Sequence, residues 1–93
     1  MSLKSALPRS GAVRFLLHAD AEPGLLPRLL QPFAKRDLIP ARMSSWRDGA
    51  TMHVEILVVD AEPGDLSRIA GNLCQVVGVR ALRQVAEPAM QAA

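Results

Sequence analysis

The pentapeptide Asp-Ala-Glu-Pro-Gly occurs twice, in DAEPGLL over residues 20–26 and in DAEPGDL over residues 60–66. A chain of 93 residues has room for one domain and one modest core, burying about 60–65% of its unfolded surface. A repeat in so short a chain marks a duplicated binding site, a duplicated fold element, or chance. The flanking segments show what it marks.

Before the first copy, AVRFLLHA (residues 12–19) is an apolar run with partial alternation and reads as a strand. After it, Leu25, Leu26, Leu29, Leu30 and Phe33 recur at helical spacing, with Arg28, Gln31, Lys35 and Arg36 on the other side. Pro27 is tolerable near a first turn, but Pro32 lies inside the pattern without the N–H the helix ladder uses, so a late start, a kink or a distorted turn is expected. IPARMSSWR (39–47) reads as a strand, and Pro40 assigns it to a sheet edge, where a missing donor costs least. DGA (48–50) is a hairpin signal, and TMHVEILVVD (51–60) is the clearest strand. The second copy then opens a helix with Leu66, Ile69, Leu73 and Val76/Val77 as its stripe, Asp65 near its positive end and Gly78 as its stop. VRALRQV (79–85) closes the domain as a strand.

The order is β-α-β-β-α-β, a split βαβ arrangement of two similar halves, 13–47 and 51–85. Both copies of the repeat fall where a strand turns into its helix. There a proline has its φ preset, and the glycine lets backbone approach closely. The repeat is mainly architectural.

Composition narrows the function. Eleven Lys and Arg are interleaved with nine acids for a net charge of +2, and there is no Tyr, one Trp and two Phe. That pattern lacks both the basic stripe and the stacking aromatics of a nucleic-acid reader. No apolar run nears the roughly 20 residues of a membrane span, and Arg14 and His18 interrupt any signal-peptide stretch. Cys74 is the single cysteine, which excludes an internal disulfide and suits a reducing, cytoplasmic setting; it reads as a small buried hydrophobe. Residues 1–11 are expected to be a flexible lead, 12–86 the domain and 87–93 a tail.

Candidate chemistry is sparse. His18, Asp20 and Glu22 alternate, but two carboxylates and a histidine in a turn are usually solvated, so no metal or other cofactor is expected. His53 and Glu55 lie on one face of a strand and read as a cross-face pair. Gly-x-Ser-x-Gly and Gly-x-Gly-x-x-Gly are absent, and no acid/base pair or nucleophile set has supporting spacing. A helix N-terminus, with its unpaired N–H groups and partial positive charge, is a ready carboxylate site. The second turn partly fills its own with Asp65; the first has no acid after its glycine. An anionic small molecule would choose the first.

The stretch EPGLLPRLLQPFAKRDLIPARM (22–43) resembles an ACT domain, the small amino-acid-sensing module of metabolic enzymes, and more narrowly the regulatory small subunit of acetohydroxyacid (acetolactate) synthase. Gly24, Leu26, Arg28, Phe33 and Arg36 stand where that family writes Gly-x-Leu-x-Arg and Phe-x-x-Arg, and VVGVRALRQV (76–85) resembles its last helix–strand junction. The resemblance implies a ferredoxin-like α+β sandwich, a four-stranded antiparallel sheet with both helices on one face, paired into a homodimer. It implies a non-catalytic regulatory role in branched-chain amino-acid biosynthesis, docking on the large subunit of a thiamine-dependent synthase. The alternative is a free-standing homodimeric sensor acting on another partner. By the same resemblance an amino-acid effector lies between Asp20, Ala21, Glu22, Pro23, Gly24, Leu25 and Leu26 of one subunit and Ile39, Pro40 and Ala41 of its neighbour. After the helix the family writes Arg-Gly-aromatic-Asn-Ile, and here Arg36-Asp37-Leu38-Ile39-Pro40 stands. Ile39 thus replaces an Asn whose amide meets the effector. Asp37 replaces a glycine, which is tolerable because Asp visits left-handed backbone more readily than most residues.

Alternation further places Leu16, Leu57 and Leu82 on the sheet face away from the helices, an apolar surface for a partner to cover.

Overall fold

The computed structural model describes residues 11–87, so most of the expected lead and tail lies outside the described residues. The elements are β1 (Ala12–Asp20), α1 (Leu25–Lys35), β2 (Arg42–Asp48), β3 (Thr51–Val59), α2 (Pro63–Cys74) and β4 (Val79–Glu87). The strands form one antiparallel sheet in the order β2-β3-β1-β4. This is the expected βαββαβ ferredoxin-like arrangement, with β2 at an edge as Pro40 implied.

Alternation in the central strands builds the core. Val13, Phe15, Leu17 and Ala19 of β1 and Val54, Ile56 and Val58 of β3 face the helices and are buried. They are directly paired across the strands, as Phe15 with Ile56 and Leu17 with Val54. Leu25, Leu29 and Phe33 of α1 and Ile69 and Leu73 of α2 complete the layer. Phe15 and Phe33 meet edge to face at 6.4 Å between ring centroids, a geometry that aligns ring edge with ring face. Truncating either ring to alanine removes this joint, at a cost of about 3–5 kcal/mol.

Positive φ falls where the sequence provides for it. Gly49 (φ 64) turns the β2–β3 hairpin, closed by the pairing of Asp48 with Thr51. Asp37 takes the left-handed conformation (φ 56) after α1, and Asp60 (φ 57) does so after β3. Gly78 (φ 99) precedes β4 without being the stop of α2, whose C-cap is Gln75.

Several sequence expectations are corrected. The second strand starts at Arg42, not Ile39; Ile39 and Pro40 belong to the connection from α1. The helix α1 continues through Pro32, whose ring is buried. The helix α2 ends at Cys74, so Val76 and Val77 lie beyond it, and Val77 is 73% exposed. Cys74 is exposed rather than buried, because Ile69 and Leu73 already fill the inward stripe. The last strand runs two residues past Val85.

Leu82 faces the helices, not the open face, since it pairs with Leu17 and packs on the core. Val79 packs on the same core, and a strictly alternating strand cannot send residues three apart to one side. A bulge resolves this. The register with β1 jumps from His18–Ala81 to Ala19–Val79, leaving Arg80 as the extra residue.

Candidate functional site

The first turn is tied to the strands around it. The Asp20 N–H donates to the Gly78 carbonyl and the Ala21 N–H to the Ala50 carbonyl, both at 2.9 Å. The turn thereby sits between the β2–β3 hairpin and the approach to β4. The bulged Arg80 is free of the alternation and reaches Asp20, its Nε donating to Oδ1 at 2.8 Å and its Nη2 to Oδ2 at 3.2 Å. These hydrogen bonds, with the Coulomb attraction, hold the Asp20 carboxyl below its usual range despite an opposing desolvation contribution.

The two copies of the repeat do not start their helices at the same residue. In the second, Glu62 is extended (φ −72, ψ 144), Pro63 is the first helical residue, and the Leu66 N–H donates to the Glu62 carbonyl at 3.0 Å. In the first, Pro23 and Gly24 form a turn, the Leu25 N–H donates to the Glu22 carbonyl at 3.1 Å, and the helix begins at Leu25. Pro27 supplies the physical reason. A helix begun at Pro23 needs a donor at residue 27 for the Pro23 carbonyl, and proline has none. Begun at Leu25, the helix places Pro27 in its first turn, where a missing N–H loses nothing. The helix thus starts late because of Pro27, which was expected to be tolerable, and not because of Pro32, through which it continues.

This leaves a distinctive N-terminus. Gly24 is the N-cap without a side-chain cap, no acid occupies the first turn, and the N–H groups of Gly24 and Leu26 have no acceptor among the described residues. The Arg28 side chain folds back over the turn: a Cβ built on Gly24 would stand 2.8 Å from its Nη2. The Arg28 Nη1 is 3.6 Å from the Glu22 Oε1, both side chains being roughly half exposed. A cation, a carboxylate and two free amides therefore surround one turn. At the second turn, Asp65 stands in the first helical turn and pairs with Arg68 at 3.8 Å.

The conformation of Gly24 (φ −86, ψ 0) is open to any residue. Its lack of a side chain matters because Arg28 occupies the space above it. Arg28 was legible as a motif position but not as the cover of this turn. The signal was present, since residues i and i+4 at a helix start are neighbours.

Ile39, Pro40 and Ala41 are not brought to this turn within one chain. The Ala41 N–H donates to the Leu57 carbonyl at 2.8 Å, and Leu57 pairs with Arg14 near the beginning of β1. Asp20 ends that strand, roughly 20 Å away at the ordinary rise of about 3.4 Å per residue. The two sets of residues can meet only between two protomers. Ile39 is 87% exposed, the most exposed of the large apolar side chains described.

The His18, Asp20 and Glu22 series is dispersed: Asp20 is engaged by Arg80 and Glu22 by Arg28. Nor do His53 and Glu55 pair. Glu55 lies 3.8 Å from Arg14, and the His53 ring contacts His18 and Trp46.

A family model for the ACT-like domain matches residues 8–89. This chain belongs to the ACT-like domain family. The ACT-like domain is a regulatory, non-catalytic class of module. Among solved structures, the chain is similar to the C-terminal domain of the MgtC protein from Mycobacterium tuberculosis. That likeness has a TM-score of 0.69 at 14% identity and covers 91% of this chain and 96% of that one; it shows a shared fold. The comparison with curated proteins gave no match. No helix among the described residues is long and apolar enough to cross a membrane.

Proposed function

We propose that this ACT-like domain is a non-catalytic regulatory subunit that takes an α-amino acid at its first turn. The observation that carries the reading is the turn itself, where Arg28, Glu22 and the free amides of Gly24 and Leu26 stand together. An amino acid brings one carboxylate and one ammonium. The carboxylate matches Arg28 and the helix N-terminal amides, and the ammonium matches Glu22.

The second half of the site comes from another copy of the chain. The edge strand β2 pairs antiparallel with a second β2, which puts the start of one beside the end of the other. Ile39 to Ala41 of the neighbour then approach the β2–β3 hairpin, whose Ala50 holds Ala21 of the first turn. The exposure of Ile39 supports a covered position in such a dimer. As the resemblance to the acetolactate synthase small subunit implies, the assembly docks on the large subunit of a thiamine-dependent synthase and acts in branched-chain amino-acid biosynthesis.

Co-elution of the chain with an acetolactate synthase large subunit on size-exclusion chromatography tests this assignment. A stable complex whose catalytic rate responds to valine, leucine or isoleucine is the expected result. A dimer that binds an amino acid but leaves the large subunit untouched would reassign it as a free-standing sensor.

A further inference from the structure

Row by row, the open face of the sheet places Trp46, His53 and His18 side by side across β2, β3 and β1. His18 and His53 are directly opposite in the register, with ring centroids 4.5 Å apart and planes at 80°. The Trp46 indole stacks on His53 at 5.4 Å and 11°. The three side chains, with Leu16 and Glu55, border a recess of ≈ 240 Å³. His18 is exposed and His53 half-buried, so one ring is free to turn while the other is braced by the indole.

We propose that His18 and His53 form a two-imidazole chelate for a late first-row divalent transition ion, with water completing its coordination. Directly opposed residues on antiparallel strands have Cβ atoms about 4.5–5.5 Å apart, a spacing from which two imidazoles converge on one ion at about 2.0–2.1 Å per metal–nitrogen bond. The two strands are central in the sheet, so the backbone that carries the ligands is already fixed before the ion arrives. Among the described residues no set of three or more His, Cys, Asp and Glu assembles around an ion. The chelate is therefore bidentate, and its preference follows ligand chemistry: imidazole favours copper, nickel and zinc, with Cu²⁺ held most tightly. The pair lies on the open face, between Trp46 of β2 and Ala81 of β4, with His18 two residues before the first turn. It stands apart from the effector reading, and dimerisation through β2 leaves it open.

Trp46 is the only tryptophan, which makes its fluorescence a direct probe. Titration of the full chain with CuCl₂ is expected to quench Trp46 saturably at one ion per chain, and ZnCl₂ to raise the melting temperature. His18→Gln keeps the Trp46–His53 stack while removing one ligand. It should weaken the quenching at least about tenfold, the loss that removal of even an outer-shell partner of a metal ligand brings. His53→Gln should do the same, and Cys74→Ser, which removes the exposed thiol, should leave the midpoint unchanged. Quenching with the parent midpoint in His18→Gln, dependence on Cys74, or the absence of saturable quenching would overturn the proposal.

Discussion

Asp20 and Arg80, at the end of β1 and the bulge of β4, share two hydrogen bonds of 2.8 and 3.2 Å. The pair fastens the first turn to the far edge of the sheet. Its carboxyl is held below the usual range, mainly by the hydrogen bonds from Arg80. A carboxylate with a lowered folded-state pKa stabilises the fold above its unfolded value and loses that contribution as pH falls through the folded one. Both side chains are open to solvent, Arg80 more than Asp20, so the effect is small and screened by salt. Asp20→Asn should melt slightly below the parent at neutral pH and low salt. Thermal melts should converge as pH drops below the ordinary carboxylate range; a gap that persists at the acid end would contradict the linkage.

Pro27 sets where α1 begins. Restoring the donor with Pro27→Ala should let the helix start at Pro23, as its counterpart starts at Pro63. The Leu26 amide would then bond to the Glu22 carbonyl, as Leu66 does to Glu62. Amide hydrogen exchange at residues 26 and 27 reports the change. Protection should appear at both, and affinity for an amino acid should fall because one of its two free donors is consumed.

Gly24→Val should harm the protein more than Gly71→Ala. The new side chain displaces Arg28 from above the turn and puts a poor residue at an N-cap, a loss on the order of 1 kcal/mol. Gly71 lies within α2 with nothing within 4 Å of a Cβ built on it. Alanine there should stabilise by about 0.5–1 kcal/mol through helix propensity. Melting curves of both variants decide the ranking.

The framework was legible because the repeat, the hairpin glycine and the alternation of Val13, Phe15, Leu17 and of Val54, Ile56, Val58 all speak locally. Leu82 was misplaced for the opposite reason. Nothing within VRALRQV fixes its parity, since both faces are mixed, and the bulge at Arg80 arises only against β1. Val77 was misjudged by extending a helical stripe past its true end, and Cys74 by its residue type alone, since it closes α2 outside the inward stripe of Ile69 and Leu73. At the site, the residues of the turn were readable from chain order. The cover of Arg28 over Gly24 and the shift made by Pro27 were not, because each depends on where the helix starts within a repeat whose two copies look alike.

Ile39 sets the strength of effector binding. Where the family's pattern carries an amide, this chain presents an exposed apolar side chain, and one unmatched polar group costs about 1–3 kcal/mol. Valine, leucine or isoleucine should therefore bind the parent weakly, in the millimolar range, and Ile39→Asn should gain about tenfold to a hundredfold. Calorimetry on both forms measures this; micromolar binding by the parent would show that the turn suffices without the amide.

The most direct measurement is a valine titration of the isotope-labelled full chain, following backbone amide shifts in the parent and in Arg28→Ala. The predicted result is a saturable shift of the Gly24 and Leu26 amides, accompanied by residues 39 and 41, and weakened about tenfold or more in Arg28→Ala. Silence at Gly24 and Leu26 with valine and with every other amino acid tried, or binding that Arg28→Ala leaves intact, would contradict the assignment of the first turn as the effector site.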